Sequence, residues 1–212
     1  MATSYDQFFA GLRIASYTFD LQENRRTSET GGGELLVSDL GPRLWGGSLT
    51  VVPARHADQR AVSARVSLLR SGGGEFMMAD PSAVLGWGFS DGDPYWEPTL
   101  HAWGGSTVVL KSRTRTLAPG QYFSFTYAGG KVGLHQVVAF NGGENIPGGT
   151  TGHWLETYTI TPSIRAGAVA GTPVKIDVPV CKALIVPGTF RPAPYTPALA
   201  GGFSFDWRQT LR

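Results

Sequence analysis

The sequence predicts a mainly β protein with one α-helix, and three observations support this fold class. The chain has 29 glycines and 14 prolines but only 16% charged residues, a composition typical of strands joined by many turns. Short runs of alternating apolar and polar residues recur along it, whereas only one segment has helical spacing of apolar residues. With 42% hydrophobic residues, the 212-residue chain can form one large β domain or two small ones, which excludes a disordered protein.

The first part of the chain predicts two strands separated by a flexible loop. Residues 15–23 form the first strand, because Tyr17, Phe19 and Leu21 alternate onto one face. The stretch "RRTSETGGGE" that follows is interpreted as a flexible turn or loop. The second strand covers residues 44–52, "LWGGSLTVV".

A single helix is predicted over residues 54–70. Pro53 suits its first turn, where a missing N–H has no cost, and the glycines at 72–74 are expected to end it. The expected buried stripe comprises Ala57, Ala61, Ala64 and Leu68, flanked by Val62 and Leu69.

This helix carries regularly spaced arginines, namely Arg55, Arg60, Arg65 and Arg70. At about 100° per residue, each step of five residues advances about 140° around the axis, so the arginines spiral and share no face. A helix that reads a nucleic-acid groove needs its cations on one side. We therefore expect a helix packed on a sheet, with its arginines in water or in charge contacts between subunits.

The second half of the chain predicts a small barrel or sandwich. "EFMMADP" is a strand ending at Pro81, and the tail contains "CKALIV", a proline-rich loop at 187–198 and a last strand with alternating aromatic residues. The other predicted strands cover about 106–116, 121–127, 131–140, 153–161 and 173–178.

An aromatic segment at 86–105 has two interpretations. Its rings are Trp87, Phe89, Tyr95, Trp96 and Trp103. Exposed rings among acidic groups would stack on sugars, as in carbohydrate-binding modules. The favoured alternative is that they pack into the core or a neighbouring subunit, since aromatic side chains are common in both.

No motif predicts an enzyme, a cofactor site or a metal site. Gly-x-Ser-x-Gly, phosphate-loop and dinucleotide fingerprints are absent from the sequence. "SDGDPYWEP" lacks the EF-hand ligand pattern and is interpreted as a solvated turn, and no carboxylate pair is singled out for glycoside hydrolysis. The histidines have no metal-ligand spacing, and each is expected at a surface or interface; they are His56, His101, His135 and His153.

The net charge and the cysteine content argue against two further kinds of protein, a nucleic-acid binder and a disulfide-stabilised domain. A formal net charge of +2 gives little support to a nucleic-acid binder. Cys181 is the one cysteine, which excludes an internal disulfide framework, and its apolar neighbours predict a buried small side chain. The start of the chain has no signal-like core and no run approaches a membrane span, so we expect a soluble protein made in the cytoplasm.

Three blocks, taken in order, carry a resemblance to a known family. The first is "LWGGSLTVVPARHADQRAVSARVSLLRSGGGEFMMADP", and the second is "LAPGQYFSFTYAGGKVGLHQVV". The third is "ITPSIRAGAVAGTPVKIDVPVCKALI" with the closing "GGFSFDW". Together they resemble distal tail proteins and related minor tail proteins of long-tailed, non-contractile bacteriophages. The resemblance covers about residues 43–80 and 117–209 and leaves the aromatic segment outside.

The resemblance implies a structural protein of the virion that is made in the host cytoplasm. Such proteins assemble as hexameric rings at the lower end of the tail tube, join it to the hub and adhesin baseplate, and leave a channel for DNA. The family's ring domain is a tail-tube-like β-barrel or sandwich with one flanking helix. Many members add a small β-barrel domain of the oligonucleotide/oligosaccharide-binding type.

The predicted elements suit that layout. We expect residues 1–80 and 178–212 to form the ring domain, and residues 81–177 to form the inserted β-barrel domain. Open sheet edges favour aggregation of a monomer, but in a ring a neighbouring subunit can pair with them. Long Gly/Pro-rich segments, at 23–34 and 187–202, can reach across such subunit contacts.

Overall fold

A computed structural model of the chain describes residues 2–53, 58–84, 98–112, 117–146, 153–192 and 201–211. It is mainly β, as the sequence predicts, with sheets curled into half-barrels. The helices in the described residues are α1 (Tyr5–Phe9), α2 (Gln59–Arg70) and α3 (Pro81–Val84). The strands are β1 (Leu12–Tyr17), β2 (Asp20–Gln22), β3 (Arg25–Glu29), β4 (Leu35–Asp39), β5 (Leu44–Pro53), β6 (Phe76–Met78), β7 (Thr99–Gly104), β8 (Thr107–Ser112), β9 (Tyr122–Thr126), β10 (Val132–Ile146), β11 (His153–Thr161), β12 (Val174–Lys175), β13 (Cys181–Ile185), β14 (Arg191–Pro192) and β15 (Phe203–Gln209).

The chain divides into two compact units, each built from separate segments. Unit 1 contains Met1–Phe8, Glu75–Ala183 and Thr210–Arg212, and unit 2 contains Phe9–Gly74 and Leu184–Gln209. The sequence predicts a ring domain at 1–80 and 178–212 and an insert at 81–177. This division also claims that the first domain forms a ring, which compactness alone does not test, so it stays a prediction.

Unit 2 is organised around the long strand β5. One side of β5 pairs antiparallel with β1 and β2, and the other side pairs with β15. This register sets Phe205 opposite Leu49 and Trp207 opposite Gly47. A Cβ at Gly47 would collide with the backbone of Thr18, so only glycine allows this close crossing. The alternating aromatic residues of the last strand thus complete the core of this unit.

Helix α2 packs on unit 2 through a different face from the one predicted. Its buried residues are Val62, Val66 and Leu69, whereas Ala61 and Ala64 are exposed and Leu68 is 68% exposed. Both sets have helical spacing, but the larger side chains remove more apolar area from water than alanines do. The predicted burial of Ala61, Ala64 and Leu68 was therefore wrong, whereas Val62 and Leu69, predicted to flank the stripe, are buried. The helix ends at Arg70 as predicted; it begins at Gln59 in the described residues, and 54–57 lie outside them.

The loop predicted at "RRTSETGGGE" contains strand β3, which pairs with β4 as a two-stranded sheet. Arg25 Nε donates to Asp39 Oδ1 at 2.9 Å near the open end of this hairpin. At the turn, the Thr30 N–H donates to the Glu34 carbonyl oxygen. The interpretation as a flexible loop was wrong, because β3 has no apolar face and therefore shows no alternation for sequence analysis to detect.

Unit 1 contains a six-stranded sheet in the order β12-β9-β10-β11-β8-β7. Strand β10 extends six residues beyond its predicted end at 140, and two register shifts against β11 bend it. Strand β7 lies within the predicted aromatic segment, where no strand was expected. The core of this sheet is made by Leu100, Leu110, Phe123, Phe125, Tyr158 and Ile160, with other buried residues.

Candidate subunit interface

The hairpin β3–β4 exposes large apolar side chains. Leu35 is 62% exposed, Leu36 49%, Val37 53% and the adjoining Leu40 63%, and every residue of both strands is exposed. An isolated two-stranded hairpin is marginally stable in water, and neighbouring exposed leucines commonly mark a surface that another molecule covers. The hairpin is therefore the strongest candidate for a subunit contact in the described residues.

Strand alternation gives the hairpin two faces of different charge. We call the side that carries Leu35 and Val37 the acidic face, because Glu29 lies directly opposite Leu35. The ion pair between Arg25 and Asp39 also projects from this side and is neutral as a pair. The other side carries Leu36, with Arg26 opposite Ser38. We call this side the basic face.

Helix α2 presents a second exposed apolar surface, which we call the outer stripe. It comprises Ala61, Ala64 and Leu68, at spacings of three and four that keep them on one side. This is the group that the sequence predicted to be buried. The opposite side of the helix is buried and carries Val62, Val66 and Leu69.

The arginines predicted for charge contacts lie in different surroundings. Arg60 is exposed. Arg65 Nη1 donates to the carbonyl oxygen of Ala10 at 3.0 Å. The guanidinium of Arg70 lies 4.3 Å from the ring centroid of Phe190, a cation–π contact. Arg55 lies outside the described residues.

A cavity of about 160 Å³ lies beside the inner face of α2. Its lining includes the apolar side chains of Val62, Val66 and Phe203 and the polar side chains of Gln59 and Arg70. The buried Oε1 of Gln59 has no hydrogen-bond partner among the described residues. The described residues that line the cavity form no ligand-binding set.

Of the predicted aromatic contacts, the structure describes Trp103 alone. This side chain lies on β7, is half-buried, and packs against the core of the six-stranded sheet. It is therefore not an open stacking platform on its own. Trp87, Phe89, Tyr95 and Trp96 lie outside the described residues, as does the acidic stretch around Asp91.

His135 is buried, contrary to the expectation of a surface or interface side chain. It is 2% exposed and lies between the rings of Phe123 and Phe125, at centroid distances of 5.4 and 5.3 Å. Its Nδ1 is 2.7 Å from the carbonyl oxygen of Pro162, so Nδ1 carries the proton and donates. Nε2 then accepts from the Tyr127 hydroxyl at 3.2 Å. Burial lowers the pKa of His135 to about 4, so the ring is neutral.

A second buried polar group joins strands β8 and β11. Glu156 is 5% exposed, and its Oε2 accepts hydrogen bonds from Ser112 Oγ at 3.0 Å and from the Tyr158 hydroxyl at 2.7 Å. The Tyr158 oxygen accepts from the Leu117 N–H, and burial of the phenol raises the pKa of Tyr158. Sequence analysis missed this group, although alternation in β11 places Glu156 on the same face as Tyr158 and Ile160.

These buried polar groups are interior hydrogen-bond networks and not a reactive site. Neither His135 nor Tyr158 is accessible to a substrate, since both are almost fully buried. Cys181 is fully buried as predicted, and burial raises the pKa of its thiol, which keeps it protonated and unreactive. No cluster of three or more His, Cys, Asp or Glu side chains suited to a metal occurs within the described part of the chain.

Neither the scan against protein-family models nor the search of curated proteins finds a match. Among the helices that the structure describes, none has the length and apolar character needed to cross a membrane.

Proposed function

We propose that this chain is a structural protein of a bacteriophage virion, the distal tail ring of a long-tailed, non-contractile phage. In this proposal six copies form a ring at the tail tip. The ring joins the tail tube above to the hub and adhesin baseplate below. DNA passes through its channel without specific binding, and the chain catalyses no reaction.

The observation that carries the proposal is the exposed hairpin β3–β4. Leu35, Leu36, Val37 and Leu40 are between 49% and 63% exposed, and a two-stranded hairpin by itself is at most marginally stable in water. A subunit of a closed ring covers such a surface with its neighbour. Two such surfaces, the hairpin and the outer stripe, occur within one compact unit.

The pairing of distant segments supports the proposed layout. Residues 44–53 and 203–209, which lie in the first and last blocks of the family resemblance, are adjacent strands of one sheet. Helix α2 belongs to the same compact unit, and its Val62 and Val66 line a cavity together with Phe203 of β15, which supports a helix beside the sheet of the proposed ring domain. The six-stranded sheet of unit 1 supplies strands for the proposed small β-barrel insert.

The modest charge of the chain suits a channel for DNA. A formal net charge of +2 permits a lumen with weak electrostatics that do not depend on base sequence. A strongly cationic lining would hold the phosphate backbone and slow its passage.

Solution mass and negative-stain imaging of the purified full-length chain test the proposal. We expect rings with a central hole and a mass of about 136 kDa, six times the 22.7 kDa of one chain. A concentration series distinguishes a closed assembly, whose mass reaches a plateau, from open aggregation, whose mass continues to grow. Monomers of 22.7 kDa at every concentration, without ring images, would contradict it.

We do not propose the alternative function, a carbohydrate-binding module that uses the aromatic segment 87–103. The described ring of that segment, Trp103, packs against the core of unit 1, and no described contact favours sugar binding.

A further inference from the structure

We propose that the acidic face of the hairpin in one copy docks on the outer stripe of helix α2 in a second copy of this chain. The inference rests on the proposed function, because it identifies the two surfaces that meet at the ring's subunit contact. It goes further by naming which side of the hairpin is covered and by what.

The first argument is that both surfaces are apolar, exposed and carried by the same compact unit. The hairpin contributes Leu35 and Val37, which are 62% and 53% exposed. The helix contributes Leu68, which is 68% exposed and lies one turn after the exposed small residue Ala64, with Ala61 on the same side. Because alanine side chains are small, Ala61 and Ala64 leave a shallow groove beside Leu68. The larger side chains of Leu35 and Val37 can pack into this groove.

The second argument is charge. The sequence of α2, Gln59–Arg70, contains three arginines and no acidic residue. At about 100° per residue, Arg60 and Arg65 flank the outer stripe on its two sides. The acidic face of the hairpin carries Glu29 without a basic partner directly opposite, and Glu34 lies in the adjoining turn. Opposite charges thus meet when this face covers the helix, whereas the basic face would bring Arg26 towards arginines.

The third argument is that pairing unlike surfaces avoids repulsion. Two helices packed stripe to stripe would bring the Arg60 and Arg65 side chains of both copies together, and two acidic faces would bring their Glu29 side chains together. Like charges at a contact disfavour it. A hairpin-to-helix contact is heterologous, so repeating it in one direction closes a ring or extends a filament.

The test uses two variants of the full-length chain that each add one cysteine, Val37→Cys on the acidic face and Ala64→Cys on the outer stripe. The native Cys181 stays in place, because it is fully buried and does not compete for reagent. The two variants are mixed, treated with a short bismaleimide, and resolved by denaturing electrophoresis. Solution mass is measured on the same samples before cross-linking.

We expect at least about tenfold more cross-linked dimer from the mixture than from either variant alone, because docking raises the effective concentration of the two thiols. The matched control is Leu36→Cys, which is one residue away on the basic face. Mixed with Ala64→Cys, it is expected to cross-link no more than the single variants do.

Other outcomes overturn the inference in distinguishable ways. Self-cross-linking of Val37→Cys would show hairpin-to-hairpin contact, and stronger cross-linking of Leu36→Cys would show that the basic face is covered. Rings that form without the Val37–Ala64 cross-link would reject this docking and leave the proposed function standing. A cross-link in samples that never close into rings would support the docking and count against the proposed function.

Discussion

At position 135 a histidine lies between two phenylalanine rings, with both ring nitrogens in hydrogen bonds to the protein. The ring donates through Nδ1 to Pro162 and accepts at Nε2 from Tyr127, so only its neutral form satisfies every partner. A Cβ at Gly133 would lie 2.9 Å from His135 Nε2, which shows how closely the surrounding residues enclose the ring. Protonation therefore requires the site to open.

This burial predicts that the folded state loses stability in mild acid. The pKa of His135 is about 4 when folded and close to 6.5 when unfolded, so the unfolded chain binds the proton first as the pH falls. The full contribution is present above about pH 6.5, and about 3 kcal/mol is lost as the pH decreases to about 4. Urea denaturation at several pH values measures this loss.

Two variants isolate the contribution of His135. In His135→Gln the pH dependence of the unfolding free energy should decrease by about 1.4 kcal/mol per pH unit within that window. His101→Gln, at an exposed position, should retain the dependence of the unmodified protein. Equal slopes in His135→Gln and the unmodified protein would show that the histidine titrates normally.

At the scale of elements, α2 shows why apolar spacing alone does not identify a buried face. Its sequence offers two apolar stripes on opposite sides, and the one with the valines and Leu69 is buried. The adjacent leucines 68 and 69 thus lie in opposite environments, 68% and 5% exposed.

We expect Leu69→Ala to lower the unfolding free energy by about 2–5 kcal/mol, since it removes buried methyl groups and leaves a cavity. The same change at Leu68 should alter it by less than about 0.5 kcal/mol in the isolated subunit. Urea denaturation at low protein concentration, where subunits are separate, makes the comparison. A larger loss for Leu68→Ala would mean that the outer stripe is buried in the monomer.

At the scale of the whole molecule, unit 2 depends on its last strand. Strand β15 pairs with β5 along its length, and its Phe203, Phe205 and Trp207 are at most 7% exposed. Burial of each contributes about 2 kcal/mol or more, so the three approach the net stability of a domain, about 5–15 kcal/mol.

Deletion of residues 203–212 should therefore abolish the cooperative unfolding of unit 2. Near-ultraviolet circular dichroism reports aromatic side chains held in fixed positions. We expect the signal from Trp45 and the aromatic rings packed around it to lose most of its intensity. Deletion of residues 211–212 alone is the control and should leave the spectrum unchanged. A shortened chain lacking β15 that keeps the native spectrum would contradict the central role of this strand.

The sequence by itself determined the fold class and most strands, because periods of two and of three to four residues follow from backbone geometry. It also determined the end of α2 at Arg70, the burial of Cys181 and the alternation of the last strand, which are local properties. The sequence does not predict the hairpin β3–β4, because a strand that is exposed on both sides shows no alternation of apolar and polar residues.

Only the tertiary structure decided which sides of these elements are covered. It buried Val62 in preference to Ala61, enclosed His135, and set the last strand against β5 across about 150 residues of chain. Burial depends on what the rest of the chain brings alongside an element, and no local pattern contains that information. For the same reason, the acidic face and the outer stripe, which we propose to join subunits, can be identified only from the folded structure, because it shows that the rest of the chain leaves them exposed.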